Sequence, residues 1–412
     1  MKVAILTLGC KVNQAESSFI AERFSERGLG VVELSEGPDY CVINTCTVTA
    51  KSDYQSRQLI RRAVKSGARV IVTGCYSQVS PEEVGRIGGV YRIVPNANKY
   101  SIINMIDFAS SSNSLCLSGR SRPYVKVQDG CNNACTYCIV PRARGRSCSI
   151  DIPLILKEIL ELEQRGYREI VLTGIHLGAF GRDLNPPLRL TDLLKAVLKE
   201  TGIPRIRLTS LEVNEVDGEL IELLVEPRIC RHLHIPLQSG DDSVLALMKR
   251  KYTLRDFTST VDKITKAAND IAIGTDVIVG FPGEGDLEFC HTREAIESLP
   301  FSYMHIFPFS PRPKTPAADM NGQNAVPVKK RRFALLNAIN IRKKERYMCA
   351  QVNRTLDIVA EERCSDGTVL GTSSNYLKVR ASADGHRKGS LIYVRVSGLE
   401  DGVLTGDAID RP

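Results

Sequence analysis

Three times in the first 75 residues a short apolar run stops at a cysteine and gives way to a helical pattern. Residues 3–8 run into Gly9-Cys10, residues 40–44 into Thr45-Cys46, and residues 70–73 into Gly74-Cys75. Short apolar runs bounded by turn residues read as strands, and a further one spans 31–34. Helical patterns cover about 16–27, ended by Gly28, and 50–65, ended by Gly67. Strands alternating with helices predict an α/β fold, here a parallel, doubly wound, Rossmann-like sheet. Ligands of such sheets gather outside the carboxyl ends of the strands. Cys10, Cys46 and Cys75 therefore converge on one edge as a candidate three-cysteine metal site. The alternative is that small buried residues happen to end these strands, as Cys41, inside its strand, reads as core.

Three more cysteines stand close together in Asp129-Gly130-Cys131-Asn132-Asn133-Ala134-Cys135-Thr136-Tyr137-Cys138. A closed structural metal site uses four protein ligands, so three thiolates leave one coordination position for another molecule. A zinc knuckle or inert buried thiols are the competing readings. The β-α alternation resumes around this array, with strands near 124–128, 169–173, 205–209, 232–236, 272–279 and 304–308. Helices fall near 153–165, 191–199, 217–226, 242–249, 254–268 and 286–298. Six units predict a partial TIM-like barrel with its chemistry at the strand ends. Gly174-Ile175-His176-Leu177-Gly178, Thr209-Ser210-Leu211-Glu212, His234-Ile235-Pro236-Leu237-Gln238-Ser239-Gly240 and the stretch from Asp276 through Gly280 to Glu284 all occupy that end. His176 and His234 read equally as an acid/base pair or as satisfied structural histidines.

Thirteen cysteines, an odd number in 412 residues, fit metal-bound thiolates in a reducing cytoplasm better than a disulfide framework. Cys148, Cys230, Cys290, Cys349 and Cys364 read as structural or incidental. With 43% hydrophobic and 25% charged residues the chain is globular. No apolar stretch approaches the roughly 18 residues of a membrane span. The formal charge of +8 allows a polyanionic partner without requiring one. The expected domains are 1–108, a small polar linker at 109–122 that holds Cys116, a catalytic domain at 123–326, a basic connector helix at 327–349 and a small β-barrel at 350–412. The connector carries Lys329-Lys330-Arg331-Arg332 and Arg342-Lys343-Lys344-Glu345-Arg346, readable as a solvated face or as a phosphate-contacting surface. Strands near 356–361, 369–372, 376–379, 391–396 and 403–406, separated by Asp366-Gly367, Asp384-Gly385 and Asp401-Gly402, predict a barrel of the kind that often binds oligonucleotides. Tyr376, Lys378, Arg380, Arg387, Lys388 and Arg395 are candidate RNA contacts, with ordinary surface charge the equal alternative.

The Cys131, Cys135, Cys138 array is similar to the signature of radical S-adenosylmethionine (SAM) enzymes. That resemblance implies a 4Fe-4S cluster on these three residues, with SAM at the unprotected iron. Thr7-Leu8-Gly9-Cys10-Lys11-Val12-Asn13-Gln14, Asn44-Thr45-Cys46-Thr47-Val48-Thr49 and Thr73-Gly74-Cys75 resemble the amino-terminal motifs of the methylthiotransferases. They imply an auxiliary 4Fe-4S cluster on Cys10, Cys46 and Cys75. His234 to Gly240, Met248-Lys249-Arg250 and Val279 to Glu284 resemble the radical SAM core of the same family, which implies that Gly174, Ser210, Glu212, Gln238 and Gly280 lie near SAM. The last domain resembles TRAM, an RNA-binding module.

Leu8 to Gln14 is particularly similar to the branch that acts on threonylcarbamoyladenosine in transfer RNA. Val140-Pro141-Arg142-Ala143-Arg144-Gly145-Arg146 favours the same branch and is basic enough to touch phosphate. Gly285 stands where the family often has threonine, and Pro313-Lys314-Thr315 lacks the usual glycine before Thr315. The resemblance implies that one SAM methylates a sulfur at the auxiliary cluster. A second is cleaved to a 5′-deoxyadenosyl radical that takes hydrogen from carbon 2 of the modified adenosine beside the anticodon, where methylthio is inserted. The implied partners are the tRNA anticodon stem-loop and an electron donor such as flavodoxin or ferredoxin, with no membrane. The competing readings are a branch acting on isopentenyladenosine, a branch acting on a ribosomal-protein aspartate, and a metal-stabilised RNA-binding protein without turnover.

Overall fold

The structure is a computed structural model that describes residues 1–106, 119–382 and 385–410. Most of the expected linker, Cys116 with it, and Asp384 of an expected turn lie outside the described residues. The chain divides into two compact units. One comprises Met1–Arg120, Gln128–Cys148 and Ser310–Ala318, the other Ser121–Val127, Ser149–Phe309 and Asp319–Pro412.

The sheet of the first unit contains β1 (Lys2–Thr7), β2 (Gly30–Val31), β3 (Tyr40–Thr45), β4 (Arg69–Gly74) and β5 (Val90–Ile93), in the order β2-β1-β3-β4-β5. Every pairing is parallel. β3 is buried along its whole length, as a strand covered on both faces must be. Alternate residues supply two cores: Val42 and Ile71 pack with Ile20 and Phe24, while Ile43, Val70 and Val72 pack with Ile60 and Ala63. The first helix is Lys11–Glu26, starting directly after Cys10. The strand expected at 31–34 shortens to β2 and a single 3-10 turn, Leu34–Glu36. β5 was not expected; it is an edge strand whose Tyr91 and Arg92 are exposed, so it lacks an apolar run.

The second unit opens with β6 (Tyr124–Lys126). β7 (Gln128–Asp129) and β8 (Cys148–Ser149) pair at the two ends of the cysteine segment Gln128–Cys148, which belongs to the first unit. β9 (Glu169–Thr173), β10 (Arg205–Leu208), β11 (His232–His234), β12 (Ala272–Val279) and β13 (Phe301–Pro308) complete the barrel strands. Parallel pairings join β6, β9 and β10 in one group and β11, β12 and β13 in another. Parallel bridges Ile206–Ile229 and Ser210–His234 connect the groups. The result is the expected six-stranded partial barrel, with strands in chain order. Helices cover its outside, where Ile170, Leu172, Ile206, Leu208, Leu233 and Val277 face Leu193, Phe257 and Ile296 in one core. Asp217, Asp241 and Thr253 cap three of these helices by accepting from the amides of Leu220, Val244 and Asp256.

After the helix Val326–Cys349 comes a closed five-stranded barrel. Its strands are β14 (Thr355–Arg363), β15 (Val369–Ser373), β16 (Lys378–Ser382), β17 (Leu391–Glu400) and β18 (Val403–Ile409), in the order β14-β15-β16-β18-β17. Ile358, Val379, Val394 and Leu404 form its core. One expectation fails here: Tyr376 does not start a strand but occupies a turn at φ 67° before β16.

Candidate functional site

In the first unit, successive strands are added outward from β1 on one side and from β3 on the other. The β1/β3 boundary is thus the switch point where such sheets bind ligands. Cys10 lies at the start of the helix after β1, Cys46 follows β3, and Cys75 begins the helix after β4. The loops approach closely: Gly9 has φ 109°, and a Cβ there would lie 3.0 Å from Cys46 Sγ. Asn13 ties the loops together, its Nδ2 donating to the carbonyls of Leu8 (2.6 Å) and Thr45 (3.1 Å). Asn44 Nδ2 donates in turn to the Asn13 carbonyl at 3.1 Å. Burial pushes the thiols of Cys46 and Cys75 up, Cys75 to about 11, and the charge of Cys10 adds to the rise of both. Two buried thiols and the exposed Cys10, close enough to feel one another's charge, suit a thiophilic, cationic centre, so this donor set fits an iron–sulfur cluster.

The other cysteines lie in the same unit. Gly130, at φ 67°, lets the chain turn where a Cβ would sit 2.0 Å from the Arg146 carbonyl oxygen. The Cys131 amide donates to the Gly145 carbonyl at 3.1 Å and the Asn133 amide to Cys131 Sγ at 3.4 Å. Cys131, Cys135 and Cys138 are all half-buried. The Arg144 side chain, 1% exposed, bonds Asp129 (2.8 Å) and Glu16 (3.0 Å) and donates to Asn13, while Lys99 also pairs with Glu16. Its charge and that of Lys99 lower the Cys75 pKa against the effect of burial. Arg144 is therefore a buried strut rather than the phosphate contact expected of its stretch; Arg142 and Arg146 remain exposed.

All five candidate SAM residues of the second unit lie at the carboxyl ends of β9 to β12. Gly174 directly follows β9, and exposed Ser210 lies past β10, bridged to His234. Burial raises the Glu212 pKa against the opposing charge of Arg250, its ion-pair partner. Gln238 takes a left-handed φ of 64°, unusual for a side chain of its kind, and its amide donates to the Asp276 carbonyl at 2.8 Å. The Gly280 amide donates to Glu284 Oε1 at 2.8 Å, and Glu284 is fixed by buried Arg332 at 2.7 Å.

The inner face of the arc is polar, whereas TIM-barrel interiors are usually filled by branched apolar side chains. Glu169 lies 2.7 Å from both Arg205 and Arg207 and 3.3 Å from Arg122. Tyr303 Oη bonds His232 Nε2 (2.9 Å) and His234 Nδ1 (3.1 Å). Asp276 Oδ1 lies 2.9 Å from His234 Nε2 and 3.2 Å from His305 Nδ1. Burial raises the Asp276 pKa, but hydrogen bonds to the two imidazoles outweigh it and hold the carboxyl well below the usual range. His176 Nε2 lies 2.8 Å from Glu215, so each candidate acid/base histidine has a carboxylate partner. Sequence reasoning missed Glu169, Arg205, Arg207, Tyr303 and His305. The available signal was a polar residue at every second position of Arg205-Ile206-Arg207, His232-Leu233-His234 and Tyr303-Met304-His305, in strands that ordinarily read as continuous apolar runs.

The basic connector is only partly a surface. Arg332 is buried against Glu284 and Asp286, Lys329 Nζ donates to the Phe309 carbonyl at 3.1 Å, and Lys343 Nζ to that of Leu299 at 2.7 Å. Lys330, Arg331, Arg342, Lys344 and Arg346 are exposed. Among the candidate RNA contacts, Lys378 pairs with Glu361, and Tyr376 stacks on His232 at 4.5 Å instead of offering a free platform. Arg380, Arg387, Lys388 and Arg395 are exposed.

Residues 2–94 match the family described as "Uncharacterized protein family UPF0004" and residues 125–296 match the radical SAM superfamily. The threonylcarbamoyladenosine tRNA methylthiotransferase MtaB of Bacillus subtilis (strain 168) is 37% identical, over 96% of this chain and 93% of its own. The chain belongs to the radical SAM methylthiotransferase family. Another relative, the tRNA-2-methylthio-N(6)-dimethylallyladenosine synthase of Campylobacter curvus, is 31% identical over 98% of this chain and 99% of its own. The solved radical SAM methyltransferase TsrM of Kitasatospora setae shares the fold, with a TM-score of 0.58 at 14% identity over 77% of this chain and 75% of its own. As a radical SAM methylthiotransferase the chain is an enzyme of the transferase class, dependent on SAM and 4Fe-4S clusters. No helix among the described residues is long and apolar enough to cross a membrane.

Proposed function

We propose that the chain inserts a methylthio group at carbon 2 of N6-threonylcarbamoyladenosine beside the anticodon of tRNA. In this reading Cys131, Cys135 and Cys138 hold the cluster that binds SAM, and Cys10, Cys46 and Cys75 hold the auxiliary cluster. The observation that carries it is Arg144, which in one compact unit reaches from the segment of the first cysteine set to Asn13 and Glu16 behind Cys10 and acts by its charge on Cys75. Two three-thiol sets braced by one buried cation suit a reaction that needs both.

A reduced 4Fe-4S cluster supplies the electron that cleaves the sulfonium of SAM. The protein's part is positional. Gly174, Ser210, Glu212, Gln238 and Gly280 hold SAM past the strand ends. The exposed cations of the connector and the last barrel hold phosphates, and a single-stranded anticodon loop presents its unstacked base. Residues 1–108 carry the auxiliary site, 109–122 link, 123–326 form the catalytic domain, 327–349 the connector and 350–412 the RNA-binding module. The protein works in the cytoplasm with a donor such as flavodoxin or ferredoxin.

The test is anaerobic reconstitution, counting iron in the wild type and in two triple variants, Cys131/Cys135/Cys138→Ala and Cys10/Cys46/Cys75→Ala. The expected result is about eight irons, falling to about four in each variant, together with methylthio product in digests of tRNA containing threonylcarbamoyladenosine. About four irons in the wild type, all lost with the Cys131 set, would sink the auxiliary site. Product on isopentenyladenosine alone would move the chain to the other branch.

A further inference from the structure

We propose that the polar lumen of the partial barrel reads the N6 substituent of the target adenosine, with His305 as the residue that hydrogen-bonds its carboxylate. This rests on the substrate reading above. His305 lies three residues before the end of β13, roughly 10 Å down the lumen at about 3.3 Å per residue. Its side chain is 55% exposed, its Nδ1 is engaged by Asp276 at 3.2 Å, and among the described residues its Nε2 has no partner. Behind it the groups brace one another: Asp276 holds His234, Tyr303 holds the other nitrogen of His234, and the His234 and His305 rings stack at 5.3 Å. The open end of a rigid hydrogen-bonded chain is thus an imidazole edge facing free space.

The direction follows from the purine. Carbon 2 must lie beyond the strand ends, where the proposed SAM residues are. The N6 group leaves the ring on the far side of N1 from carbon 2, which directs it down the lumen. A threonylcarbamoyl group carries a carboxylate, a hydroxyl and an amide into this polar space. A dimethylallyl group would strip water from His305 and Asp276 and return no hydrogen bond, the situation in which a polar site discriminates most strongly. The cluster therefore reads as a device for choosing between the two substituents of the tRNA branches.

The experiment measures binding of anticodon hairpins carrying threonylcarbamoyladenosine, dimethylallyladenosine or adenosine to the reconstituted protein with SAM. The wild type, His305→Phe and His305→Gln are compared, with iron content as the check on folding. The wild type is expected to prefer the threonylcarbamoyl hairpin over the adenosine one. In His305→Phe that ratio of Kd values should collapse by about ten- to a hundredfold, the worth of one hydrogen bond to a charged group. His305→Gln, which keeps a hydrogen-bond donor, should retain part of it. The ratio surviving intact in His305→Phe overturns the proposal. So does one equivalent of zinc or manganese that copurifies with the wild type and is lost in the variant, because Asp276, His234 and His305 would then be metal ligands, a role their grouping within 4.8 Å also permits. A wild type that binds all three hairpins equally sinks the substrate reading itself.

Discussion

Replacing Glu169 by Gln tests how the floor of the barrel is held. The Glu169 carboxylate is fully buried, yet Arg205, Arg207 and Arg122 outweigh the upward push of burial and hold its pKa down to about 2, from an ordinary 4.5. At about 1.36 kcal/mol per pH unit this is about 3 kcal/mol of stability. The sign is that of a depressed carboxyl: the stabilisation is complete above pH 4.5 and is lost as the pH falls toward 2. Removing the charge at neutral pH takes the shared carboxylate from two buried guanidiniums and leaves Arg205 with only the more distant Asp357 at 3.5 Å, which costs about 3–5 kcal/mol. Arg205 and Arg207 also donate to the carbonyls of Asp357, Thr372, Ser373 and Ser374. Loosening them should release the carboxyl-terminal barrel. Urea unfolding of Glu169→Gln at pH 7 should show the loss, its acid sensitivity between pH 4.5 and 2 should diminish, and limited proteolysis should cut near residue 350. A loss under about 1 kcal/mol with an unchanged acid profile would refute the argument, since neither the lost ion pair nor the depressed pKa would then matter.

Lys314 sits at φ 65°, in the left-handed region that favours glycine. Lys314→Gly should raise stability by about 0.5–1 kcal/mol, the relief of left-handed strain less the greater freedom of unfolded glycine, read as a higher urea midpoint. Gly130→Ala would drive a Cβ into the Arg146 carbonyl, so iron after reconstitution should fall from about eight toward about four. Arg144→Met should cost about 3–5 kcal/mol in chemical denaturation, because Glu16 and Asp129 would lose the buried cation they share. Adding Asp129→Asn restores charge balance and should recover part of that loss; no recovery would argue against an electrostatic origin.

The convergence of Cys10, Cys46 and Cys75 was legible because it depends only on strand ends and parallel order, which apolar runs and glycine stops reveal. The six-stranded arc was legible for the same reason. What the sequence concealed involves partners far apart in the chain. Arg144 belongs to a basic stretch that looks solvated until Glu16 and Asp129 are seen to enclose it. Tyr376 looks like an exposed aromatic until His232 is found stacked on it. The first helix begins at Lys11 because Cys10 stands at its cap position, with no side-chain capping bond to announce it.

These long-range partners recast the carboxyl-terminal barrel. Composition and strand pattern present it as an RNA-binding appendage, but Arg205 and Arg207 bind its backbone carbonyls and Tyr376 enters the histidine stack beneath Tyr303. A backbone carbonyl cannot be mutated away, and two buried guanidiniums that lost these acceptors would be left with Glu169 alone on that side. The contact thus gives the barrel strands a floor and the lumen a closed end. A polar lumen open at both ends would fill with water and discriminate weakly between substituents. Closed below by the carboxyl-terminal barrel, it would desolvate the group proposed to enter it, and a polar side chain in a desolvated site distinguishes an acid from an alkyl chain most sharply.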